Sequence, residues 1–303
     1  MKIYKRFYFL LVLLPVLMLI SACSPSVGIG TGSSSVTVLQ LLQNSANAMK
    51  NLKSAHVETK TNGMLQTINM PAPPTASQVT FSVTGSGDEA LPTRESLQIS
   101  VIQGKNSQPS NFAEIVQGDE VYIQNAKGQW CVLDKSMFEQ YTGNPFSGLN
   151  GFDPSNLLGL LQNTQITDHG DESLHGQSLR HITIAFDKEA FRNIVTNDPQ
   201  LGNLFGQQNI NTLLNSTKTF NTTLDLWIDE STFYVHRTEL KFNLNEDVSS
   251  LSQSLTPVVT FPLPAGVITS FDSTLDLSNF NAPVTITPPT GAIPTANPLT
   301  IFG

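Results

Sequence analysis

Cysteine occurs only twice in 303 residues, at Cys23 and Cys131. Cys23 is spoken for by the argument below, so Cys131 has no disulfide partner and stability must come from a packed core. Charge is also scarce: 13 % of residues are charged against 39 % hydrophobic, with 16 Lys and Arg set against 24 Asp and Glu. A net charge of −8 repels a phosphate backbone, which excludes nucleic acid as a partner. Catalytic signatures are missing. There is no Gly-x-Ser-x-Gly elbow and no Ser-x-x-Lys pair, so no nucleophile with a recognisable activating base is visible. Nor is there an apolar run long enough for a comfortable membrane span, because Phe7 to Ile20 is short and broken by Pro15.

That short run has a purpose of its own. Lys2, Lys5 and Arg6 precede it, and Ile20-Ser21-Ala22-Cys23 closes it, in the pattern of a lipobox. Small residues at Ser21 and Ala22 suit a narrow peptidase pocket. The Cys23 thiol can then take a diacylglyceryl group and become the new N-terminus, carrying palmitate-like chains, two or more of which hold a protein on a bilayer. Residues 1–22 are therefore read as a lipoprotein signal peptide. The rest is expected to be exported and lipid-anchored at the cell membrane, facing away from the cytoplasm. Subtracting Lys2, Lys5 and Arg6 from the 16 basic residues, against 24 acidic ones, makes the processed chain more acidic, at −11.

Residues 23–36 are Gly/Ser-rich without apolar periodicity, a flexible tether. Gly28, Gly30 and Gly32 lack the strand and spacing of a phosphate loop. Thr37 fits the N-cap of a helix to about Leu52, with Val38, Leu41, Leu42, Ser45, Met49 and Leu52 on one face. The period then changes to two. Strands are expected at 55–61, 78–84, 96–103, 112–117, 120–125 and 130–133, joined by turns at Gly118-Asp119 and Lys127-Gly128, with a Pro-rich loop around Met70-Pro71. Helical signals follow at 135–141, around Asp153-Pro154 with Leu157, Leu158, Leu160 and Leu161, and after Asp187 through Phe191, Ile194 and Val195; weaker ones lie at 201–205 and 210–214. Strands return at 165–168, 178–186, 219–229, 233–243 and 268–277. The Pro-rich residues 291–303 read as a tail without structure. Helix, strands, helices, strands is the pattern of an α+β fold with an antiparallel sheet and helices on one face.

Several stretches in this order resemble a known family. Ala48-Met49-Lys50-Asn51-Leu52-Lys53-Ser54-Ala55-His56, running from helix to strand, Val121-Tyr122-Ile123 before Gly128-Gln129-Trp130, and Leu226-Trp227-Ile228-Asp229 before a return strand are similar to the LppX/LprG-type lipoproteins, which share a fold with the carriers LolA and LolB. The resemblance covers residues 37–290. It implies a strongly curved antiparallel sheet, a half-barrel, with several short helices covering its concave face. Between them would lie a cavity for a hydrophobic, lipid-like ligand, used in envelope lipid trafficking without a cofactor. On that implication Leu42, Met49, Leu157, Leu161, Phe191, Ile194, Leu214 and Trp227 line the cavity. Periodicity alone allows the alternative, a filled interior in an envelope binding or sensory module, and Trp227 fits a core position as well as a ligand contact.

Two clusters are set aside. Asp168-His169-Gly170-Asp171-Glu172 with His175 gathers metal-ligand types, but it has no i, i+4 His pair and reads as a solvated turn, so no metal is expected. Cys131, beside Trp130, reads as a buried structural cysteine, because no basic neighbour in sequence lowers its pKa.

Overall fold

The computed structural model describes residues 25–27, 36–68, 76–104, 107–125, 127–142, 164–197, 211, 214–215, 217, 219–245, 265–296 and 301. Alternation of apolar and polar residues builds thirteen strands: β1 (Pro25–Val27), β2 (Ser54–Ile68), β3 (Ala76–Ala90), β4 (Arg94–Gln103), β5 (Ser110–Gln117), β6 (Glu120–Gln124), β7 (Trp130–Asp134), β8 (Thr164–Leu174), β9 (Gln177–Phe186), β10 (Thr219–Ile228), β11 (Val235–Asn245), β12 (Ala265–Ser278) and β13 (Ile293–Pro294). Among the described residues three helices accompany them: α1 (Val38–Lys50), α2 (Lys135–Thr142) and α3 (Lys188–Asn197). All strands join one curved, unclosed sheet in the order β1-β8-β9-β10-β11-β12-β2-β3-β4-β5-β6-β7-β13. In chain order the sheet is two meanders, β2 to β7 and β8 to β12, sewn together where β12 returns beside β2 with thirteen residues of each strand in register.

The sheet is mixed rather than wholly antiparallel, which corrects the expectation from the hairpin pattern. β1 runs parallel to β8 and β13 parallel to β7, so both edges are capped by short segments arriving from afar in the chain. A hairpin signal is local; a parallel edge pairing leaves no local mark. The same finding corrects both ends. Pro25–Val27, inside the expected tether, pairs with Thr164–Ile166. Within the expected tail, Ile293 and Pro294 pair with Cys131 and Val132, and Ile301 is buried with Val116, Val121, Ile123, Cys131, Leu133 and Phe138 in a second apolar cluster.

Strand lengths also exceed expectation. β2 and β3 pair over fifteen residues, from Ser54 with Ala90 to Ile68 with Ala76, so the loop between them is shorter than the proline content implies. The expected helix around 154–161 and those at 201–205 and 210–214 fall outside the described residues, apart from Asn211 and Leu214.

Register assigns every strand residue to a face. On the face we term inner, Ile182, Ile184, Leu224, Leu240, Phe271, Leu275, Val57, Phe81, Val83, Ile99 and Val101 fall in cross-strand rows and form one buried cluster with Leu41, Leu42, Ala46 and Met49 of α1. α1 begins where the sequence places it. Thr37 Oγ1 accepts the Gln40 N–H at 3.2 Å and Gln40 Oε1 accepts the Thr37 N–H at 3.1 Å, a reciprocal capping box. Its buried positions 41, 42, 45, 46 and 49 make a single stripe. Asp187 caps α3 by a one-sided bond, accepting the Ala190 N–H at 2.7 Å.

One buried ion cluster anchors the start of α1. Arg180 continues the inner-facing register of Ile182, Ile184 and Phe186, where an apolar residue would be the rule. Its guanidinium donates to Asp168 Oδ2 at 2.6 Å and Oδ1 at 3.2 Å, to Glu230, and to the Val36 carbonyl at 2.9 Å. A buried charge is tolerated only when its donors are matched in this way.

Candidate functional site

The inner face is the candidate site, because four of the expected ligand-contact positions meet there. Leu42 and Met49 on α1, Phe191 on α3, and Leu214 all belong to the large buried cluster that includes the sheet's inner residues. Phe191 sits in an aromatic group with Phe220 and Phe242 at centroid distances of 5.2 and 5.6 Å, and Phe242 stacks on Phe271 at 5.2 Å. Cys23, Leu157 and Leu161 lie outside the described residues, as does the side chain of Ile194.

Trp227 is not brought to this site. Leu226 and Ile228 face inward, so alternation sends Trp227 to the opposite, outer face. There its ring stacks on His181 at 4.3 Å, His181 stacks on His169 at 4.4 Å, and the Arg237 guanidinium lies 6.0 Å from the Trp227 ring centre. His181 places Nδ1 3.0 Å from Glu172 and Nε2 3.1 Å from Asp225; Trp227 Nε1 donates to the same Glu172 at 2.8 Å. Arg237 grips Asp276 through two bonds of 2.6 and 2.8 Å.

The stretch 168–175 is therefore strand and ring stack rather than a solvated turn, and only His175-Gly176, both with left-handed backbone, turns the chain. A bulge between Asp168 and Gly170, where Gly170 has φ +77°, puts His169 over His181. Among the described residues no three His, Cys, Asp or Glu side chains are grouped as metal ligands.

The inner face also carries polar groups that the apolar pattern conceals. Thr61 and Ser273 are direct cross-strand partners at the centre of the floor, and their hydroxyls bond each other at 2.7 Å. Thr59 and Thr238 flank Leu275 in the adjoining row, Thr222 lies nearer the aromatic end, and Ser45 sits in the buried stripe of α1. Among the described residues none of these last four hydroxyls has a hydrogen-bond partner.

Toward β5, three carboxyls share the inner register. Glu89 pairs across strands with Glu95, and Glu114 lies diagonally from Glu95. Burial pushes Glu89 up to about 7 and Glu114 up to about 8. Glu95 is held well above the usual carboxylate range, first by burial and then by the charges of Glu89 and Glu114, with Lys135 at the start of α2 opposing them. These glutamates stand between the large cluster and the smaller one around Ile123. Cys131, in that smaller cluster, is buried, and burial raises its thiol pKa, which keeps it protonated and unreactive.

Sequence reasoning missed Arg180, the three glutamates and the four hydroxyls. A signal existed for each: Arg180, Glu89 and Thr59 all occupy inward positions of an otherwise apolar alternation, two residues from Ile182, Gly87 and Val57 respectively.

Among the described residues no helix is long and apolar enough to cross a membrane. No family model matches the chain, and no curated protein matches it. Solved structures do. LprF from Mycobacterium bovis is 19 % identical, with 84 % of this chain and 97 % of that one aligned at a TM-score of 0.41. The Mycobacterium tuberculosis lipoprotein LppX is 15 % identical over 82 % of this chain and 97 % of its own, at 0.42. The LolA-superfamily protein NE2245 from Nitrosomonas europaea is 11 % identical over 83 % and 96 %, at 0.21. The chain is similar to LprF, to LppX and to that LolA-superfamily protein.

Proposed function

We propose that this chain is a lipoprotein, anchored at the membrane through acylated Cys23, that holds a hydrophobic ligand between the inner face of its sheet and the helices over that face, and serves lipid trafficking in the envelope without covalent chemistry. The supporting observation is the inner face itself. An apolar floor spanning β2–β4 and β9–β12 shares one cluster with α1, α3 and Leu214, and buried hydroxyls without partners are set into it. α1 is pinned at its start by the Arg180 bond to the Val36 carbonyl and meets the sheet along its length through a stripe of mainly apolar side chains, which can part to admit an oily guest without breaking a hydrogen-bond ladder.

The test is organic extraction of the purified Cys23→Ala protein followed by mass spectrometry, together with uptake of a fluorescent fatty-acyl probe. Co-purifying lipid and saturable uptake are expected. Repeated absence of both overturns the carrier reading and leaves the alternative of an interior filled with side chains. Anchoring is tested separately: a clickable fatty acid fed to the producing cells labels the wild-type chain and leaves Cys23→Ala unlabelled.

A further inference from the structure

Four of the five buried side-chain polar atoms that lack a partner among the described residues are hydroxyls on the inner face or on the helix stripe above it: Ser45, Thr59, Thr222 and Thr238, exposed by only 2, 9, 3 and 6 %. Native proteins pair nearly all such groups, since an unpaired buried donor has lost its bond to water without replacement, and an exception calls for a reason. Here the exceptions share a location. Thr59 and Thr238 stand on either side of Leu275 in one row, two strand spacings or about 10 Å apart.

The neighbourhood is built around Thr59. A Cβ on Gly85, its cross-strand partner, would come within 2.7 Å of the Thr59 Cγ2 methyl, so a glycine is what lets the methyl lie over β3. With that methyl toward β3, staggering about the Cα–Cβ bond turns the hydroxyl away from β3. Thr61 and Ser273, one row along, bond each other at 2.7 Å, and neither is bonded to any of these four hydroxyls.

We propose that Thr59 and Thr238, with Ser45 and Thr222 as outlying members, form a polar subsite in the apolar interior that hydrogen-bonds carbonyl oxygens carried within the body of the ligand, such as the ester groups of an acylated glycerol. This rests on the carrier reading above and narrows it. A plain hydrocarbon chain leaves every one of these donors unpaired. Carbonyl acceptors placed among the chains satisfy them, and the distance between Thr59 and Thr238 calls for more than one acceptor.

The experiment compares two probes of equal chain length, a pyrene-labelled diacylglycerol and its dialkyl ether counterpart, which lacks only the carbonyl oxygens. Dissociation constants with the purified protein are read from pyrene fluorescence. Two net hydrogen bonds predict that wild type prefers the ester about tenfold. Thr59→Val/Thr238→Val should bring the ratio to within about twofold by weakening ester binding alone, and Thr59→Ser/Thr238→Ser should restore it.

Equal binding of both probes by wild type overturns the subsite while leaving the carrier reading intact, and assigns the hydroxyls to buried water. Binding of neither probe overturns both. A double valine variant that melts well below wild type also overturns the subsite, because it shows that the hydroxyls were already satisfied within the protein.

Discussion

The two faces of this sheet treat polar groups in opposite ways. On the outer face polarity is abundant and closed on itself: His169, His181, Trp227 and Arg237 stack, while Glu172, Asp225 and Asp276 take up their donors. On the inner face polarity is sparse and left open, with four hydroxyls lacking partners and three glutamates pushed up in pKa by burial. A surface built for water satisfies its groups with one another or with solvent. The unpaired inner-face donors are what the proposed ester subsite would engage.

The comparison can be broken most severely at Arg180, the inner-face charge that follows the outer-face rule of full pairing. Arg180→Met leaves Asp168 and Glu230 without their cation, and a loss of about 3–5 kcal/mol is expected from thermal or urea unfolding. Burial favours the neutral form of Asp168, but the Arg180 hydrogen bonds, the Gly170 N–H and nearby positive charge outweigh it and hold the carboxyl below its ordinary range. For a lowered acid the stabilisation is present above the unfolded value of about 4 and disappears as pH falls through the folded one. The difference between Arg180→Met and wild type should therefore shrink in acid.

Glu114 tests the opposite sign. Its folded pKa of about 8 lies above the reference of 4.5, so the folded state binds a proton that the unfolded chain has released, and stability falls as pH rises from 4.5 through 8. Glu114→Gln should flatten that decline and gain about 2 kcal/mol over wild type at pH 9, with little difference at pH 5. Melting curves across this range provide the check; parallel curves for the two proteins would contradict the assignment.

The hydroxyls sharpen the contrast at smaller scale. Thr183 on the outer face donates to Asp225 and lies 2.8 Å from His169 Nε2, so Thr183→Val should cost about 1.5–3 kcal/mol. Thr222→Val, on the inner face, removes a buried hydroxyl without a partner among the described residues and should raise stability by about 1–3 kcal/mol. Smallest is Trp227→Phe, which keeps the ring stack and gives up the indole bond to Glu172, at about 1 kcal/mol.

Much of this architecture was legible beforehand, for identifiable reasons. The α1 cap at Thr37 and its stripe through Leu42 and Met49 depend on contacts three and four residues apart, which a sequence displays directly. Hairpins at Gly118-Asp119, Lys127-Gly128 and His175-Gly176 are equally local. The face of Trp227 was decidable from its neighbours Leu226 and Ile228, yet an aromatic residue beside a candidate cavity suggested the wrong side. Strand ends at Ile68 and Ala76 were hidden by polar and Pro-rich composition, because pairing with a neighbour overrides propensity.

By itself, then, the sequence determined the hairpin-joined strands of the two meanders, the helix α1 with its apolar stripe and the apolar character of one sheet face, all of which follow from short-range periodicity and turn chemistry. Only the tertiary structure decided which distant pieces close the sheet edges, that Arg180 meets Asp168, Glu230 and Val36, that Glu89, Glu95 and Glu114 crowd together, and that Thr59 and Thr238 stand without partners. Those outcomes depend on residues tens to hundreds of positions apart. Their energies come from burial and pairing in space, quantities that exist only once the chain has folded.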